Sequence, residues 1–424
     1  MTSDRLDLVV LGASGFTGKH VVKELQRIAI DYPEVTWAIA GRSREKLETL
    51  LSDVGKKIGK DLSQTKIIIA DVNDKQSLMA MCSQTKILIN CCGPFVKYGE
   101  NVVSSAVICK THYVDVSGEI QFIEHIEETY DQPAKAANVF IINACGLSSI
   151  PADLGVSFLE KNFNGTLNSV ESYLSTHFPA KMILESCRSG IVQYNSWESI
   201  INSMADLSLK KLRQKSTIQM EPEVKQRWVV YKNFNKWNLP YPGADSFVVD
   251  RTQRHLFSTE GKRPVQYRPY ITFGCIFYAL GAIIGGLFLL CLCKISCTRR
   301  FLLNYPRLCT FGFVTYGHPK EGMMDGSSFQ HEMIGRGWDK NTNVSNKMNK
   351  QVVARISVSG ADPAYVGTAN AVIFCALTIL KEKDKMPFTG GVLTAGAAFK
   401  NTNIVKHLQE NDIKFEIVES KFLP

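Results

Sequence analysis

The chain has 424 residues, more than one ordinary core accommodates, and this length predicts two or three domains. Its 45% hydrophobic and 21% charged residues are typical of a globular protein. The net charge of +9 favours anionic partners such as phosphates or acidic lipid. No arginine-rich tail or zinc-finger spacing accompanies it, so a nucleic-acid partner is not expected.

A turn with three glycines follows the first predicted strand. Residues 8–11 (LVVL) form a short apolar run, and apolar residues recur at helical spacing from residue 16 onward. Gly12 allows a tight turn, Gly15 lets the backbone approach a ligand, and Gly18 lets helix and strand pack closely. The helix N-terminus then offers amides and a positive dipole to a pyrophosphate, with Ser14 and Thr17 as further donors. The alternative is a glycine-rich turn that only connects two elements.

The second predicted strand, TWAIAG, ends at Gly41. An NAD enzyme has an acid at this point, about 20 residues beyond the glycines, that binds the ribose 2'-hydroxyl. Here the chain reads GRSREK, and Arg42, Ser43 and Arg44 suit a ribose 2'-phosphate instead. The pattern therefore predicts NADP as the cofactor. The alternative for the arginines is the solvated start of the helix predicted over 43–58.

Alternation of strands and crossovers continues to about residue 147. Four further strands are predicted at KIIIADV (66–72), KILINCCG (86–93), HYVDVSG (112–118) and VFIINACG (139–146). Six strands with crossovers indicate an α/β fold with a Rossmann-like, doubly wound parallel sheet. Ligands of such sheets bind beyond the carboxyl ends of the strands, at the switch point.

The loops at these strand ends resemble those of the saccharopine dehydrogenase family, and most closely its saccharopine dehydrogenase-like oxidoreductases. The motifs that carry the resemblance are GASGFTG, AGRSREKL, NCCGPFVKYGE, YVDVSGE and CGLSSIPADLG, followed near the C-terminus by GADPAYVGTANAV (360–372) and GGVLTAGAAFKNTNIVKHL (390–408). The resemblance implies a Rossmann-like cofactor domain, a mixed α+β middle domain and a C-terminal segment that returns to the core.

The domain boundaries follow from these features. We predict an NADP-binding Rossmann domain over 1–150, a substrate or dimerisation α+β domain over 151–270, an apolar membrane- or lipid-droplet-contacting segment over 271–317, and the end of the second domain with the return to the core over 318–424. The sequence leaves open whether two copies of the chain form a homodimer.

The resemblance also implies which residues hold the cofactor and perform the chemistry. Position by position, it assigns the pyrophosphate to Gly12, Ser14, Gly15, Phe16, Thr17 and Gly18, the 2'-phosphate to Arg42 and Ser43, the adenine side to Asp71, and the nicotinamide riboside to Asn90, Gly93, Pro94 and Phe95. Hydride transfer usually needs a positioned acid. Tyr98 and Glu119 are the catalytic candidates, with Tyr98 preferred as proton donor, and Tyr113 and Asp115 lie nearby. The alternatives are helix capping by Asp71 and by Glu119.

The sequence departs from the family pattern at two places where a substrate is expected. Relatives read CGFDSIPSDLG where this chain has CGLSSIPADLG, so Ser148 replaces an acid. A Gly-Thr pair of the second domain appears here as Asn195 and Ser196. Cofactor binding is therefore predicted on firmer grounds than turnover.

Residues 271–293 contain no charge in 23 positions. Such a segment is long enough for a bilayer core, but a single span would separate the C-terminal motifs from the cofactor domain. We therefore expect a hairpin or in-plane helix that enters one leaflet, with flanking cations on anionic headgroups. The alternative is a core or dimer-interface helix.

Two functions follow from these observations. The first is an NADP-dependent oxidoreductase that acts on a lipid-like or apolar substrate at a lipid droplet or the cytoplasmic face of a membrane. The second is a non-catalytic dinucleotide-binding scaffold on the same surfaces. The charged N-terminus enters a strand at once, so no signal peptide is expected and the cysteines are expected to be reduced. No metal site is predicted.

Overall fold

The computed structural model describes residues 5–179, 185, 188–206, 220–227, 229–233, 235–317, 326–359 and 365–423. The chain forms two compact units. The first contains Met1–Leu147 and Ala364–Asn411, and the second contains Ser148–Pro363 and Asp412–Pro424. The boundaries expected at residues 150, 270 and 317 stay predictions.

The strands and helices of the described residues are as follows. The strands are β1 Leu6–Leu11, β2 Trp37–Gly41, β3 Lys66–Ile69, β4 Thr85–Asn90, β5 His112–Asp115, β6 Phe140–Ile142, β7 Gly165–His177, β8 Val192–Gln193, β9 Tyr231–Asn233, β10 Lys236–Pro240, β11 Gln266–Phe273, β12 Val314–Thr315, β13 Ser328–Asp339, β14 Lys350–Ser359, β15 Gly391–Leu393 and β16 Ile413–Phe422. The helices are α1 Phe16–Ile28, α2 Arg44–Ile58, α3 Lys75–Cys82, α4 Phe95–Ile108, α5 Ile120–Ala137, α6 Ser149–Asn162, α7 Tyr194–Asp206, α8 Asp245–Glu260, α9 Ile276–Lys294, α10 Ser296–Asn304, α11 Pro306–Cys309, α12 Tyr365–Lys381, α13 Ala395–Ala398 and α14 Ile404–Gln409.

The first unit is built on a parallel sheet with the strand order β15-β6-β5-β4-β1-β2-β3. Leu8 of β1 pairs with Trp37 on one side and with Ile87 of β4 on the other. The strand order reverses between β1 and β4, so this is the switch point of a doubly wound sheet. Leu8, Val9 and Val10 are fully buried, as expected for a strand covered on both faces. The predicted Rossmann-like fold class is confirmed.

The C-terminal part of this unit adds a strand and a helix to the sheet. β15 pairs in parallel with β6 at the sheet edge, through Gly391, Val392 and Leu393. The helix Tyr365–Lys381 is buried along most of its length and packs against α1, β4 and β5. Of the motif at 360–372, residues 360–364 lie outside the described residues.

The second unit is a mixed sheet with the order β16-β14-β13-β7-β11-β10-β9, which agrees with the predicted α+β class. β7 is central: β11 pairs with it in parallel and β13 in antiparallel orientation. The chain therefore enters the apolar segment from β11 and returns from it to β13 on the same sheet.

The apolar segment begins as a strand and not as a helix. Residues 271–273 are the end of β11, and the helix runs from Ile276 to Lys294. Its C-terminal end packs with α7 and α10 around Trp197, Ile201, Cys293 and Leu302. In the most apolar stretch of 18 residues of this helix, only 11% of the residues are buried inside the protein. By length and composition this helix is sufficient to cross a membrane, and most of its apolar side chains are exposed.

Candidate functional site

The glycine turn lies between β1 and α1, at the switch point of the first unit's sheet. Gly12 has φ +78°, and a Cβ atom there would lie 2.5 Å from the Sγ atom of Cys92. A Cβ atom at Gly18 would lie 2.2 Å from the carbonyl oxygen of Gly12. Both positions therefore require glycine, since a side chain would collide with the turn or with the neighbouring strand.

Gly15 is different, because its backbone is extended, with φ −73° and ψ 171°. Its amide donates a hydrogen bond to the Gly12 oxygen at 2.9 Å, and it is the N-cap residue of α1. A Cβ atom there would meet only that oxygen, at 3.1 Å. Gly15 therefore leaves space at a helix N-terminus, where phosphates commonly bind, and its pyrophosphate contact stays a prediction.

Three further residues of the turn were expected to help hold the pyrophosphate. Phe16 is buried, and its ring packs edge-on against Tyr365, with the ring centroids 4.3 Å apart. Ser14 and Thr17 are partly exposed, and their hydroxyls form no hydrogen bond with any described residue. Phe16 therefore fixes the start of α1, and the two hydroxyls are available to a ligand.

Arg42 follows β2 directly and is exposed. It forms no ion pair with any described residue, whereas Arg44 pairs with Glu48 at 3.6 Å. Ser43 is the N-cap residue of α2, and its hydroxyl accepts a long bond of 3.4 Å from the Lys46 amide. The solvated-helix alternative thus describes Arg44, whereas the guanidinium of Arg42 has no ion-pair partner in the described part of the chain.

Cys92 lies near residues that are predicted to bind the 2'-phosphate and the adenine side of the cofactor. Burial raises the pKa of the Cys92 thiol to about 12, the positive charge of Arg42 opposes this rise, and the negative charge of Asp71 adds to it. The same sulfur is the neighbour of Gly12 described above. Gly12, Arg42 and Asp71 are therefore gathered around one edge of the sheet.

Asp71 does not cap the helix that follows it. Its Oδ1 atom accepts hydrogen bonds from the amide of Asn73 at 2.9 Å and from that residue's side chain at 3.2 Å. The cap of α3 is Asp74, which accepts from the Gln76 amide at 3.0 Å. The capping alternative for Asp71 is wrong, and its adenine-side role stays a prediction.

A buried hydrogen-bond network fixes the carboxyl ends of β4, β5 and β6. Asn90 Nδ2 donates to the Tyr113 hydroxyl at 3.0 Å, and this hydroxyl donates to Asp115 Oδ2 at 2.9 Å. Asn143 Nδ2 also donates to Asp115 Oδ2, at 2.7 Å. Burial raises the pKa of Asp115, although hydrogen bonds from Ser117, Asn143 and the Ala144 amide favour its charged form. Tyr113 and Asp115 thus hold the edge on which Gly93 and Pro94 lie.

Glu119 binds the start of α4 with both carboxylate oxygens. Oε1 accepts from the amide of Phe95 at 3.0 Å, and Oε2 accepts from the amide of Val96 at 2.7 Å. Glu119 is buried and precedes α5, but its side chain does not cap that helix. The capping alternative therefore named the wrong helix, and a catalytic role for Glu119 stays a prediction.

Tyr98 lies one turn further along α4 and is partly exposed. The Lys97 ammonium is 5.1 Å from the centre of its ring. The hydroxyl of Tyr98 has no hydrogen-bond partner within the described chain. The role of Tyr98 as proton donor therefore stays a prediction.

Within the second unit, Ser148 has partners that the sequence did not reveal. Its hydroxyl donates to Asp245 Oδ1 at 2.6 Å and lies 3.2 Å from the Tyr241 hydroxyl. Burial raises the pKa of Asp245 to about 6, against the opposing effect of the Ser148 and Ser149 hydroxyls. Burial, with the charge of Asp245, raises the pKa of Tyr241 to about 12. A carboxyl therefore does lie beside position 148, supplied by α8.

The pH dependence of stability tests this carboxyl. Its pKa is raised from 3.8 to about 6 by folding, so its contribution is fully present below pH 3.8 and is lost as the pH rises through 6. Between pH 4 and pH 7.5 the free energy of unfolding of Asp245→Asn is expected to rise by about 2.4 kcal/mol relative to that of the wild type. Urea unfolding at both pH values measures this, and an unchanged difference contradicts the raised pKa.

No group of three or more His, Cys, Asp or Glu side chains in the described part of the chain could hold a metal ion. The glycine turn at the switch point, with Arg42 exposed at the end of the neighbouring strand, defines the first unit as a dinucleotide-binding Rossmann-type domain.

Comparisons with known proteins give the family. Residues 8–142 match the model of the saccharopine dehydrogenase NADP-binding domain. Saccharopine dehydrogenase-like oxidoreductase of Mus musculus is 36% identical over 426 residues, 97% of each chain. The chain belongs to the saccharopine dehydrogenase family, among its saccharopine dehydrogenase-like oxidoreductases, and its first domain is the family's NADP-binding domain.

Two other relatives have names that refer to a location. The lipid droplet localized protein of Caenorhabditis elegans is 34% identical over 435 residues, 99% of each chain. A probable mitochondrial saccharopine dehydrogenase-like oxidoreductase of Arabidopsis thaliana is 31% identical over 449 residues, 97% of this chain and 96% of its own. Among solved structures, apo saccharopine dehydrogenase (L-Glu forming) from Saccharomyces cerevisiae shares the fold, with a TM-score of 0.56, 14% identity and coverage of 98% of this chain and 100% of its own.

Proposed function

We propose that this protein is an NADPH-dependent oxidoreductase that acts on an apolar, lipid-like substrate at a lipid droplet or the cytoplasmic face of a membrane. The observation that carries the proposal is an NADP-binding domain joined in one chain to a second unit with an exposed, apolar helix. The name of the C. elegans relative supports the lipid droplet as the surface. A homodimer stays a prediction.

We assign the cofactor contacts to the residues around the glycine turn. Gly12 and residues 14–18 bind the pyrophosphate, and Arg42 with Ser43 binds the 2'-phosphate. Asp71 faces the adenine side. Asn90 and residues 93–95 lie along the nicotinamide riboside. The bound cofactor supplies a hydride, and the chain's own part is to orient it and to provide a proton.

Arg42 is expected to select NADPH over NADH. A charge-assisted contact contributes about 1.5 to 3 kcal/mol, so Arg42→Ala should weaken NADPH binding about tenfold to a hundredfold and leave NADH binding unchanged. Arg44→Ala is the matched control, because Arg44 is similarly exposed but pairs with Glu48. Calorimetric titration of both cofactors measures this. An equal loss for NADH would contradict the role of Arg42.

The topology of the second unit supports contact with one leaflet and argues against a single span. β11 precedes the apolar helix and β13 follows it, and both are hydrogen-bonded to β7. A single crossing would place these two strands on opposite sides of a membrane. The helices that follow, Ser296–Asn304 and Pro306–Cys309, are too short to cross back. An in-plane or hairpin arrangement satisfies both constraints.

Turnover is the test of the catalytic part of the proposal. We expect full-length protein to oxidise NADPH in the presence of lipid-droplet extract, and Tyr98→Phe to lower the rate about a hundredfold while NADPH affinity stays the same. Lys97→Ala is the control, because it changes the neighbour of Tyr98 and leaves the hydroxyl in place. A Tyr98→Phe rate equal to wild type contradicts its role as proton donor.

A non-catalytic scaffold is the second candidate, and it has an observation in its favour. Both oxygens of Glu119 accept hydrogen bonds from main-chain amides, so the carboxylate is held in a structural contact. NADPH binding without any NADPH oxidation by lipid extracts would support the scaffold and contradict the oxidoreductase.

A further inference from the structure

A groove of about 720 Å³ lies at the C-terminal end of the apolar helix. Its walls come from α7, α9, α10 and α11, and include Trp197, Gly285, Phe288, Leu292, Phe301 and Leu302. None of its lining residues is charged. The volume is within the range of about 300 to 1,000 Å³ found for small-molecule sites.

The indole and the two threonine hydroxyls in the walls of this groove are already hydrogen-bonded within the protein. The indole of Trp197 donates to the Leu302 carbonyl at 3.0 Å. The Thr298 hydroxyl is bonded to the carbonyls of Leu292 and Ile295, and the Thr310 hydroxyl to the Pro306 carbonyl at 2.7 Å. These walls give a ligand apolar contact and no free hydroxyl donor, which suits a hydrocarbon chain.

The sequence around the groove residues is cationic. Between residues 276 and 317 the sequence has four cations, Lys294, Arg299, Arg300 and Arg307, and no acid. Arg299 and Arg300 directly follow the groove residue Thr298 and form no ion pair with any described residue. Both arginines belong to α10, which supplies one wall of the groove. An apolar groove whose wall helix carries two arginines is complementary to a molecule with a hydrocarbon chain and an anionic headgroup.

We propose that this groove holds one acyl chain of an anionic phospholipid taken from the surface that the helix contacts, with Arg299 and Arg300 facing the phosphate. The proposal rests on the surface contact proposed above, because the groove is open on the same exposed helix. It adds a lipid site to the second unit that is separate from the NADP residues.

The experiment measures contact between Trp197 and an acyl chain. Full-length protein is mixed with phosphatidylcholine vesicles containing phosphatidylserine whose acyl chains carry bromine, which quenches tryptophan fluorescence at contact. The chain has five tryptophans, so the signal is the part of the quenching that is lost in Trp197→Phe. Co-sedimentation with the same vesicles measures surface contact independently.

Gly285→Leu should block the groove. A Cβ atom at Gly285 meets no atom within 4 Å, so the larger side chain fits on the helix and occupies the groove. Gly281→Leu is the matched control: it lies one turn earlier on α9, is equally unhindered and does not line the groove. We expect Gly285→Leu to reduce Trp197 quenching at least about fivefold, with co-sedimentation equal to that of Gly281→Leu.

Each outcome decides a different point. Equal quenching in the two leucine variants, with normal co-sedimentation, overturns the acyl-chain site and leaves surface contact standing. Absence of co-sedimentation in wild type overturns the surface contact and the site together. If brominated triacylglycerol emulsions quench Trp197 as strongly as the anionic vesicles, or if Arg299→Gln with Arg300→Gln has no effect, the anionic headgroup is wrong.

Discussion

A valine at position 15 is expected to abolish NADPH binding while the chain remains folded. The backbone of Gly15 is extended, a conformation that valine adopts readily, and its Cβ atom would need only a few tenths of an ångström of adjustment from the Gly12 oxygen at 3.1 Å. The isopropyl group would instead occupy the space that we assign to the pyrophosphate. Calorimetry with NADPH, and thermal unfolding of the apo protein, measure the two parts of this expectation.

Gly18→Ala is the control for a glycine that the fold itself requires. Its Cβ atom would lie 2.2 Å from the Gly12 oxygen, so the added methyl group should lower the melting temperature even without cofactor. If Gly15→Val binds NADPH normally, the glycine turn is only structural. If its melting temperature falls as far as that of Gly18→Ala, the steric argument for Gly15 is wrong.

The fold of the first unit could be predicted because its strands are short apolar runs that end in recognisable turns. β15 is a different case. Gly391–Leu393 is three residues long and its pairing partner, β6, lies about 250 residues earlier in the chain. A strand of that length has too little periodicity for a local pattern to identify it, and its place at the sheet edge depends on long-range contacts.

The apolar segment shows a related limit. Hydropathy found residues 271–293, but residues 271–273 belong to β11, because they pair with β10 across the sheet. Hydropathy alone does not distinguish a buried strand from a helix, so the boundary required the sheet register.

Side-chain partners were the least predictable part of the site. The sequence indicates that Ser148 replaces an acid, yet Asp245, 97 residues further along the chain, places a carboxyl within hydrogen-bond distance of the Ser148 hydroxyl. Asp245 follows a Pro-Gly turn and begins a helix. An acid at that position ordinarily interacts with the positive end of the helix dipole. Glu119 similarly precedes one helix but binds the amides of another, and only the tertiary structure reveals such an exchange.

Replacing three exposed apolar residues of α9 with serine is expected to abolish surface binding without unfolding the protein. Phe277, Ile284 and Leu287 are 77%, 68% and 59% exposed, so little of the core depends on them. Full burial of one such side chain contributes about 1.5 to 3 kcal/mol. Partial burial of three of them in lipid is therefore expected to strengthen binding to vesicles about a thousandfold, and the serine variant should lose this gain. Flotation with phosphatidylcholine and phosphatidylserine vesicles measures the change.

The matched control is a triple serine variant of Ile30, Ile108 and Phe388, which are also exposed but lie in the first unit. This control removes a similar apolar area from the surface, so general stickiness would be reduced equally in both variants. Binding that depends on α9 should fall only in the first variant, while both retain the melting temperature of the wild type. An equal loss in the two variants, or continued flotation of the α9 variant, would contradict the assignment of the apolar helix to a lipid surface and favour a contact between copies of the chain.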